Sequence, residues 1–146
     1  MYHVDGWGEF YCMGRYAMTG VNGEDRAATV LVVDDEPYVL EMLKQQLLYF
    51  GYNIITARNG MEALQKAEKF KRIDILLTDI MMPFMNGIEL AKEFNKLFPA
   101  TTIFFMSGYI SSSLDIDELP DKNYTVFEKP FSLTSLTSEF ARVLSH

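Results

Sequence analysis

The chain of 146 residues is poor in the residues that build disulfides and zinc sites. It contains one cysteine, Cys12, and two histidines, His3 and His146, near opposite ends of the sequence. A single cysteine excludes an intramolecular disulfide, and two distant histidines exclude a zinc cluster built by them alone. We therefore expect a reducing, cytoplasmic setting.

Long apolar runs and concentrated positive charge are also missing. No window reaches the ~18 consecutive apolar residues that a membrane span requires, and residues 1–28 lack the basic start and apolar run of a secretory signal. The 13 basic residues are scattered among 20 acidic ones, for a net charge of −7. Nucleic-acid-binding surfaces concentrate positive charge. We therefore expect partners that are neither nucleic acids nor membranes.

The composition is that of one globular domain. Apolar residues make up 49% and charged residues 23% of the chain, a balance typical of folded proteins rather than of disordered or low-complexity ones. A chain of about this length removes roughly two-thirds of its unfolded surface from water when it folds. The chain is therefore long enough to form a core without disulfides.

The first 28 residues differ from the rest, because they hold five glycines and five aromatic residues without a sustained period. Three interpretations are open. The first is that the segment is a disordered extension. The second is that translation starts at a later methionine, such as Met13 or Met18. The third is that the segment is a packed functional arm. We expect one of the first two, so that residues 1–28 form an extension and residues 29–146 form the domain.

From residue 29 onward, strand-like and helix-like segments alternate. Five short apolar runs predict strands over 29–34, 52–56, 73–79, 101–107 and 124–128. Apolar residues at helical spacing predict helices between them, with Asn59, Asn86 and Ser132 near the helix starts. This alternation predicts a doubly wound α/β domain, with a five-stranded parallel sheet and helices on both faces. Residues 110–123 are rich in serine and aspartate, and any helix there is expected to end by Pro120.

Polar groups follow four of the predicted strands. Asp34 and Asp35 end the first strand, Asp79 ends the third, Ser107 ends the fourth and Lys129 follows the fifth. In such folds, ligands bind beyond the carboxyl ends of the strands. Any one of these residues alone could simply terminate a strand or cap a helix. Four such strand ends at one edge of the sheet instead favour a functional site.

The residue types at this edge suit phosphoryl transfer. Clustered carboxylates repel one another, so a cation is expected among them. Oxygen ligands without histidine or cysteine favour Mg²⁺. A lysine ammonium and a serine hydroxyl can bind phosphate oxygens, and a carboxylate can attack phosphorus to form an aspartyl phosphate. Phosphoryl transfer needs mainly positioning and neutralisation of charge, which this set provides.

Four segments resemble the receiver domains of two-component response regulators: VLVVDDEP (30–37), LLTDIMMPFMNG (76–87), FFMSGY (104–109) and FEKPF (127–131). The resemblance covers about residues 29–146. It implies a flavodoxin-like sheet with the strand order 2-1-3-4-5. It also implies a stand-alone receiver that takes a phosphoryl group from a histidine kinase or phosphotransfer protein and then changes its contacts with a downstream protein, which the sequence does not identify.

The resemblance also implies a role for each matching residue. Asp79 would accept the phosphoryl group. Asp35, Asp79 and the backbone carbonyl of Met81 would bind Mg²⁺ directly, and Asp34 would act largely through a bound water. These four residues form the expected metal site.

Four further positions complete the expected site. Ser107 would turn its hydroxyl toward the phosphoryl group, and Lys129 would pair with a phosphate oxygen. Gly108 would provide the small residue that the family usually needs beside the acceptor. Pro130, after an expected cis Lys129–Pro130 bond, would aim the lysine.

One position departs from the family pattern. Many members carry Tyr or Phe three residues before the lysine, where the ring swings inward on activation. Here that residue is Val126, and the aromatic residue is Phe127. Because a shift of one residue in a strand reverses the face, we expect phosphorylation to be retained more securely than the usual aromatic switch.

Three other functions compete with the phosphate-dependent receiver. A receiver-like binding module that has abandoned phosphate is disfavoured by the intact acidic, serine and lysine set. A phosphatase of the haloacid-dehalogenase type would need a second aspartate two residues after Asp79, where Met81 stands. A receiver fragment of a hybrid histidine kinase is the remaining alternative. We expect no turnover of a separate substrate, only catalysis by the chain of its own phosphorylation and slow dephosphorylation.

Overall fold

The computed structural model describes residues 2–4, 11–13, 18–19, 25–108 and 124–145. Five strands form one parallel sheet: β5 (Thr29–Val33), β6 (Asn53–Ala57), β7 (Ile75–Asp79), β8 (Thr102–Ser107) and β9 (Tyr124–Glu128). Their order in the sheet is β6-β5-β7-β8-β9. The expected doubly wound sheet with the order 2-1-3-4-5 is therefore confirmed. The expected short helix before Pro120 falls outside the described residues.

Four short strands precede the sheet: β1 (Tyr2–Val4), β2 (Tyr11–Met13), β3 (Met18–Thr19) and β4 (Asp25–Arg26). They form two antiparallel pairs, β1 with β2 and β3 with β4. The second strand, β2, lies beside the edge strand β6 of the main sheet. The division of the chain at residue 28 stays a prediction.

Four described helices connect or follow the main strands: α1 (Pro37–Tyr49), α2 (Gly60–Phe70), α3 (Gly87–Leu97) and α4 (Leu133–Leu144). The side chains of Asn59, Asn86 and Ser132 each accept a hydrogen bond from a backbone N–H in the first turn, as expected. Pro37 occupies the first turn of α1, where its missing N–H costs no helical hydrogen bond. None of the helices in the described parts of the chain is long and apolar enough to cross a membrane.

The sheet is covered on both faces, which explains its continuous apolar strands. All five positions of β5 and of β7 are buried, as expected for parallel strands with helices on either side. One core packs α2 and α3 against the sheet around Phe94 and Phe105. The other packs α1 and α4 around Leu47 and Phe140. These two cores cover the faces of the sheet, and the loops that follow the strands lie at its carboxyl edge.

Burial extends at least two residues before β5. Ala27 and Ala28 are both buried. The backbone N–H of Asn53 donates to the carbonyl of Ala28 at 2.9 Å, and its side-chain amide donates to the carbonyl of Ala27 at 3.2 Å. These bonds tie the start of β5 to the start of β6.

We expect a chain that starts at Asp25 to be more stable than one that starts at Thr29, when each follows an initiator methionine. The shorter chain loses the burial of Ala27 and the acceptor for the buried Asn53 amide, which should lower the free energy of unfolding by about 1–3 kcal/mol. Urea unfolding of the two chains measures the difference. Equal stabilities would show that the core starts at β5 itself.

Candidate functional site

The parallel register brings the polar strand ends together, as the sequence predicts. Asp79 pairs with Met106, and Ser107 pairs with Glu128. Backbone hydrogen bonds continue just past the strands, since the N–H of Lys129 donates to the carbonyl of Ser107 at 2.7 Å. The strand ends therefore converge on one pocket at the carboxyl edge of the sheet.

Three carboxylates line this pocket. One oxygen each from Asp34, Asp35 and Asp79 lies within 4.8 Å of the other two. Asp34 is 0% exposed and Asp79 is 7% exposed, whereas Asp35 is open to solvent. Oxygen ligands at this separation can share one hard cation. The expected acidic cluster is therefore present.

Lys129 is the cation that faces this cluster. Its Nζ lies 3.1 Å from Oδ2 of Asp34 and 3.7 Å from Oδ2 of Asp79. The other carboxylate oxygen of Asp34 accepts a hydrogen bond from the N–H of Glu36 at 2.9 Å. Asp34 is thus held by partners on both oxygens. The Lys129–Pro130 peptide bond is cis, as expected.

The surroundings shift the protonation of Asp79 and Lys129. Burial raises the pKa of Asp79 to about 6, and the negative charges of Asp34 and Asp35 act in the same direction, against Lys129 and the N–H of Met81. Burial lowers the pKa of Lys129, but its hydrogen bond to Asp34 and the nearby carboxylates outweigh that effect and raise it overall. The pocket therefore holds excess negative charge.

The remaining expected site residues surround Asp79. Ser107 is buried at the end of β8. Met81 directs its backbone N–H to the Asp79 carboxylate, while its side chain is 61% exposed. Gly108 is exposed, and a Cβ added there would meet none of the described atoms within 4 Å. The expected need for a small residue at position 108 therefore has no support from packing in the described part of the chain.

The structure also shows a contribution from Gly87 that sequence reasoning did not single out. A Cβ at this residue would collide with the backbone carbonyl of Asp79 and lie 2.9 Å from Cα of Ile80. The N–H of Gly87 donates to the carbonyl of Ile80 at 2.8 Å. Glycine here lets α3 start directly against the end of β7. The Asn86–Gly87 pair carried the signal, but it indicated only a helix start.

Val126 and Phe127 lie on opposite faces of the sheet, as the shift of one residue predicts. Val126 packs with the core on the α2 and α3 face. Phe127 packs on the opposite face, where its ring stacks on Phe104 at a centroid distance of 5.7 Å. The ring of Phe127 therefore belongs to the α1 and α4 core.

We expect Gly87→Ala to destabilise the protein, because the new methyl group meets backbone that cannot move aside cheaply. The free energy of unfolding should fall by about 1–3 kcal/mol. Gly108→Ala is the matched control and should change it by less than about 0.5 kcal/mol. Urea unfolding measures both. Equal effects of the two variants would contradict the close approach of α3 to β7.

We expect Asp79→Asn to stabilise the protein in the absence of divalent cations. Since folding raises the pKa of Asp79 from 3.8 to about 6, the cost of its buried charge is complete above about pH 6 and fades as the pH falls toward 3.8. The variant should gain about 2–3 kcal/mol at pH 7.5 and roughly half of that at pH 5. Urea unfolding at both pH values measures the gain. Glu68→Gln, at an exposed carboxylate on α2 outside the acidic cluster, is the control and should show no such gain. A gain that grows toward low pH would refute this account.

Comparison with known proteins identifies relatives of this fold and site. The family model described as the response regulator receiver domain matches residues 30–141. The response regulator receiver protein CpdR of Brucella abortus is 31% identical over 115 residues, which are 79% of this chain and 95% of that protein. The sensor kinase CckA of the same organism is 34% identical over 119 residues, which are 81% of this chain but 13% of that protein.

Solved structures agree with these relatives. The chemotaxis protein CheY4 of Vibrio cholerae has 31% sequence identity and a TM-score of 0.72, covering 80% of this chain and 98% of that one. The receiver domain of the hybrid histidine kinase CckA has 28% identity and a TM-score of 0.69, covering 80% and 99%. With a matching family model, fold and acidic pocket, the chain belongs to the response regulator receiver domain family.

Proposed function

We propose that this receiver domain works in a phosphorelay by accepting a phosphoryl group on Asp79 from a histidine kinase or phosphotransfer protein. The observation that carries the proposal is the pocket itself. A nearly buried carboxylate stands between two other carboxylates and one ammonium group, at the edge where this fold binds ligands.

The pocket suits a resident Mg²⁺ ion. Three carboxylates face one lysine there, and their oxygens are the hard ligands that Mg²⁺ prefers. Asp35, Asp79 and the backbone carbonyl of Met81 would hold the ion, and Asp34 would reach it through water, because both oxygens of Asp34 already have partners. When bound, the ion supplies positive charge for phosphate oxygens.

The transfer step requires only an exchange of bonds at phosphorus. An oxygen of the Asp79 carboxylate attacks the phosphorus of a phosphohistidine. The P–N bond breaks, its electron pair returns to the imidazole nitrogen, and an acyl phosphate forms on Asp79. Asp79 is ionised and ready to attack above about pH 6, where its pKa lies. The fixed pocket supplies the positioning on which such transfers depend.

Lys129 and Ser107 would respond to the new phosphoryl group. Lys129 already lies 3.7 Å from Oδ2 of Asp79, so its ammonium group can pair with a phosphate oxygen while it stays near Asp34. The buried hydroxyl of Ser107, at the end of the neighbouring strand, would donate to another phosphate oxygen. Pro130 would aim the lysine, and Gly108 would be the small residue beside the acceptor Asp79.

The result of phosphorylation would be a change in protein contacts in the cytoplasm. The chain would catalyse only its own phosphorylation and slow dephosphorylation. The downstream partner would be another protein, recognised through the changed surface.

With Mg²⁺ and acetyl phosphate, we expect the full chain to gain one phosphoryl group and Asp79→Asn to gain none. Both oxygens of Asp34 already have partners, whereas the Asp79 carboxylate lies 3.7 Å from Lys129 and can accept. Intact-mass spectrometry measures the gain, and omission of Mg²⁺ should reduce it strongly. Equal labelling of Asp79→Asn would place the acceptor elsewhere. No labelling of the unaltered chain would favour a binding module that does not use phosphate.

A further inference from the structure

The loop between β7 and α3 exposes a large aromatic side chain beside the pocket. Phe84 is fully exposed, with a relative accessibility of 101%, five residues after Asp79. A phenylalanine in that position buries nothing and contributes no packing to either core. Packing in the described part of the chain therefore does not account for an aromatic residue here, and the backbone at this position makes the choice more unusual.

The backbone at Phe84 is also unfavourable for this residue type. The N–H of Met85 donates to the carbonyl of Pro83 at 2.9 Å, which closes a three-residue turn around Phe84. The φ angle of Phe84 is +70°. That combination is typical of the classic γ-turn, a rare and strained conformation. Glycine or asparagine would adopt a positive φ more readily than phenylalanine.

The loop is held on both sides, so Phe84 projects from a fixed place. Met85 packs on the first residue of α2, where a Cβ added to Gly60 would lie 2.9 Å from Cγ of Met85. Asn86 and Glu89 form a reciprocal capping box that starts α3. A strained residue that its surroundings hold firmly is characteristic of functional sites.

We propose that Phe84 is a docking anchor for the protein that donates the phosphoryl group, and this proposal rests on the proposed function. A protein donor must bring its phosphohistidine to the Asp79 carboxylate, so its surface must cover the rim of the pocket. The loop that carries Phe84 leaves Asp79 and returns to it at Gly87, which packs against the Asp79 carbonyl. It therefore forms part of that rim, together with the exposed side chain of Met81. An aromatic ring presented in a fixed place is typical of residues that dominate binding energy.

A small-molecule donor provides the discriminating comparison. Acetyl phosphate fits into the pocket without covering the rim, so it does not need Phe84. A protein donor loses its anchor when the ring is removed. Phosphotransfer from the two donors should therefore respond differently to substitution of Phe84, although both reactions end on the same carboxylate.

The test uses Phe84→Asn, because asparagine tolerates a positive φ and should preserve the turn. The protein donor is the autophosphorylated core of the histidine kinase that phosphorylates the unaltered chain fastest, in a panel of kinases from the source organism. We expect kcat/KM for transfer from this kinase to fall about 10- to 100-fold, in the range of a binding hot spot. Labelling by acetyl phosphate should stay within about twofold, and the melting temperature should not fall.

Two control variants define the role of the ring. Phe84→Tyr keeps the aromatic anchor and should retain transfer from the kinase. Leu97→Asn removes an exposed apolar side chain at the far end of α3 and should leave both reactions unchanged.

Several results would contradict the proposal that Phe84 is a docking anchor. Equal transfer from the kinase to Phe84→Asn and the unaltered chain would do so, as would slower labelling of Phe84→Asn by acetyl phosphate, which would indicate a role in the pocket itself. Loss of self-association in Phe84→Asn without loss of transfer would assign the ring to a second copy of the chain. A panel without any active kinase would also count against it, while labelling by acetyl phosphate would still support Asp79 as acceptor.

Discussion

The ion pair between Lys129 and the fully buried Asp34 is the interaction on which the rest of the site depends. The two residues are 95 positions apart, and their side chains meet at 3.1 Å. A buried carboxylate without a partner would be costly, so Asp34 fixes the end of β9 relative to the end of β5. The same lysine reaches Asp79, which lies between them in the sheet. The Lys129 ammonium group therefore both stabilises the fold and faces the acceptor carboxylate.

The cores and the helix starts make favourable contacts. Both faces of the sheet are covered by apolar cores, and the described helices begin with favourable caps or, in α1, with proline. Three unfavourable features lie at Asp79 or between it and the start of α3, although Lys71 at the end of α2 also has a positive φ. The pKa of Asp79 is raised, Gly87 leaves no space for a side chain, and Phe84 has a positive φ. A rigid domain can support such a site because its stability comes from elsewhere.

The two faces of β9 carry different side chains into the two cores. Val126 contacts the α2 and α3 core, whereas Phe127 stacks with Phe104 in the α1 and α4 core. A ring packed in that way stabilises the fold and is not available at the position where the family usually carries Tyr or Phe. Under the proposed function, the response to phosphate would therefore rely on Ser107 and Lys129 rather than on this ring.

The sequence by itself determined the local elements and the residues at their ends. The helical spacing of apolar residues and the capping residues predicted the helices, and apolar runs predicted the strands. Because parallel strands share a carboxyl edge, the sequence also grouped Asp34, Asp79 and Lys129. Only the tertiary structure decided which atoms meet, such as the two partners of Asp34, the contact of Gly87 with β7 and the exposure of Phe84. The reason is physical, because periodicity and capping act within a few residues, whereas these approaches depend on how distant segments pack together.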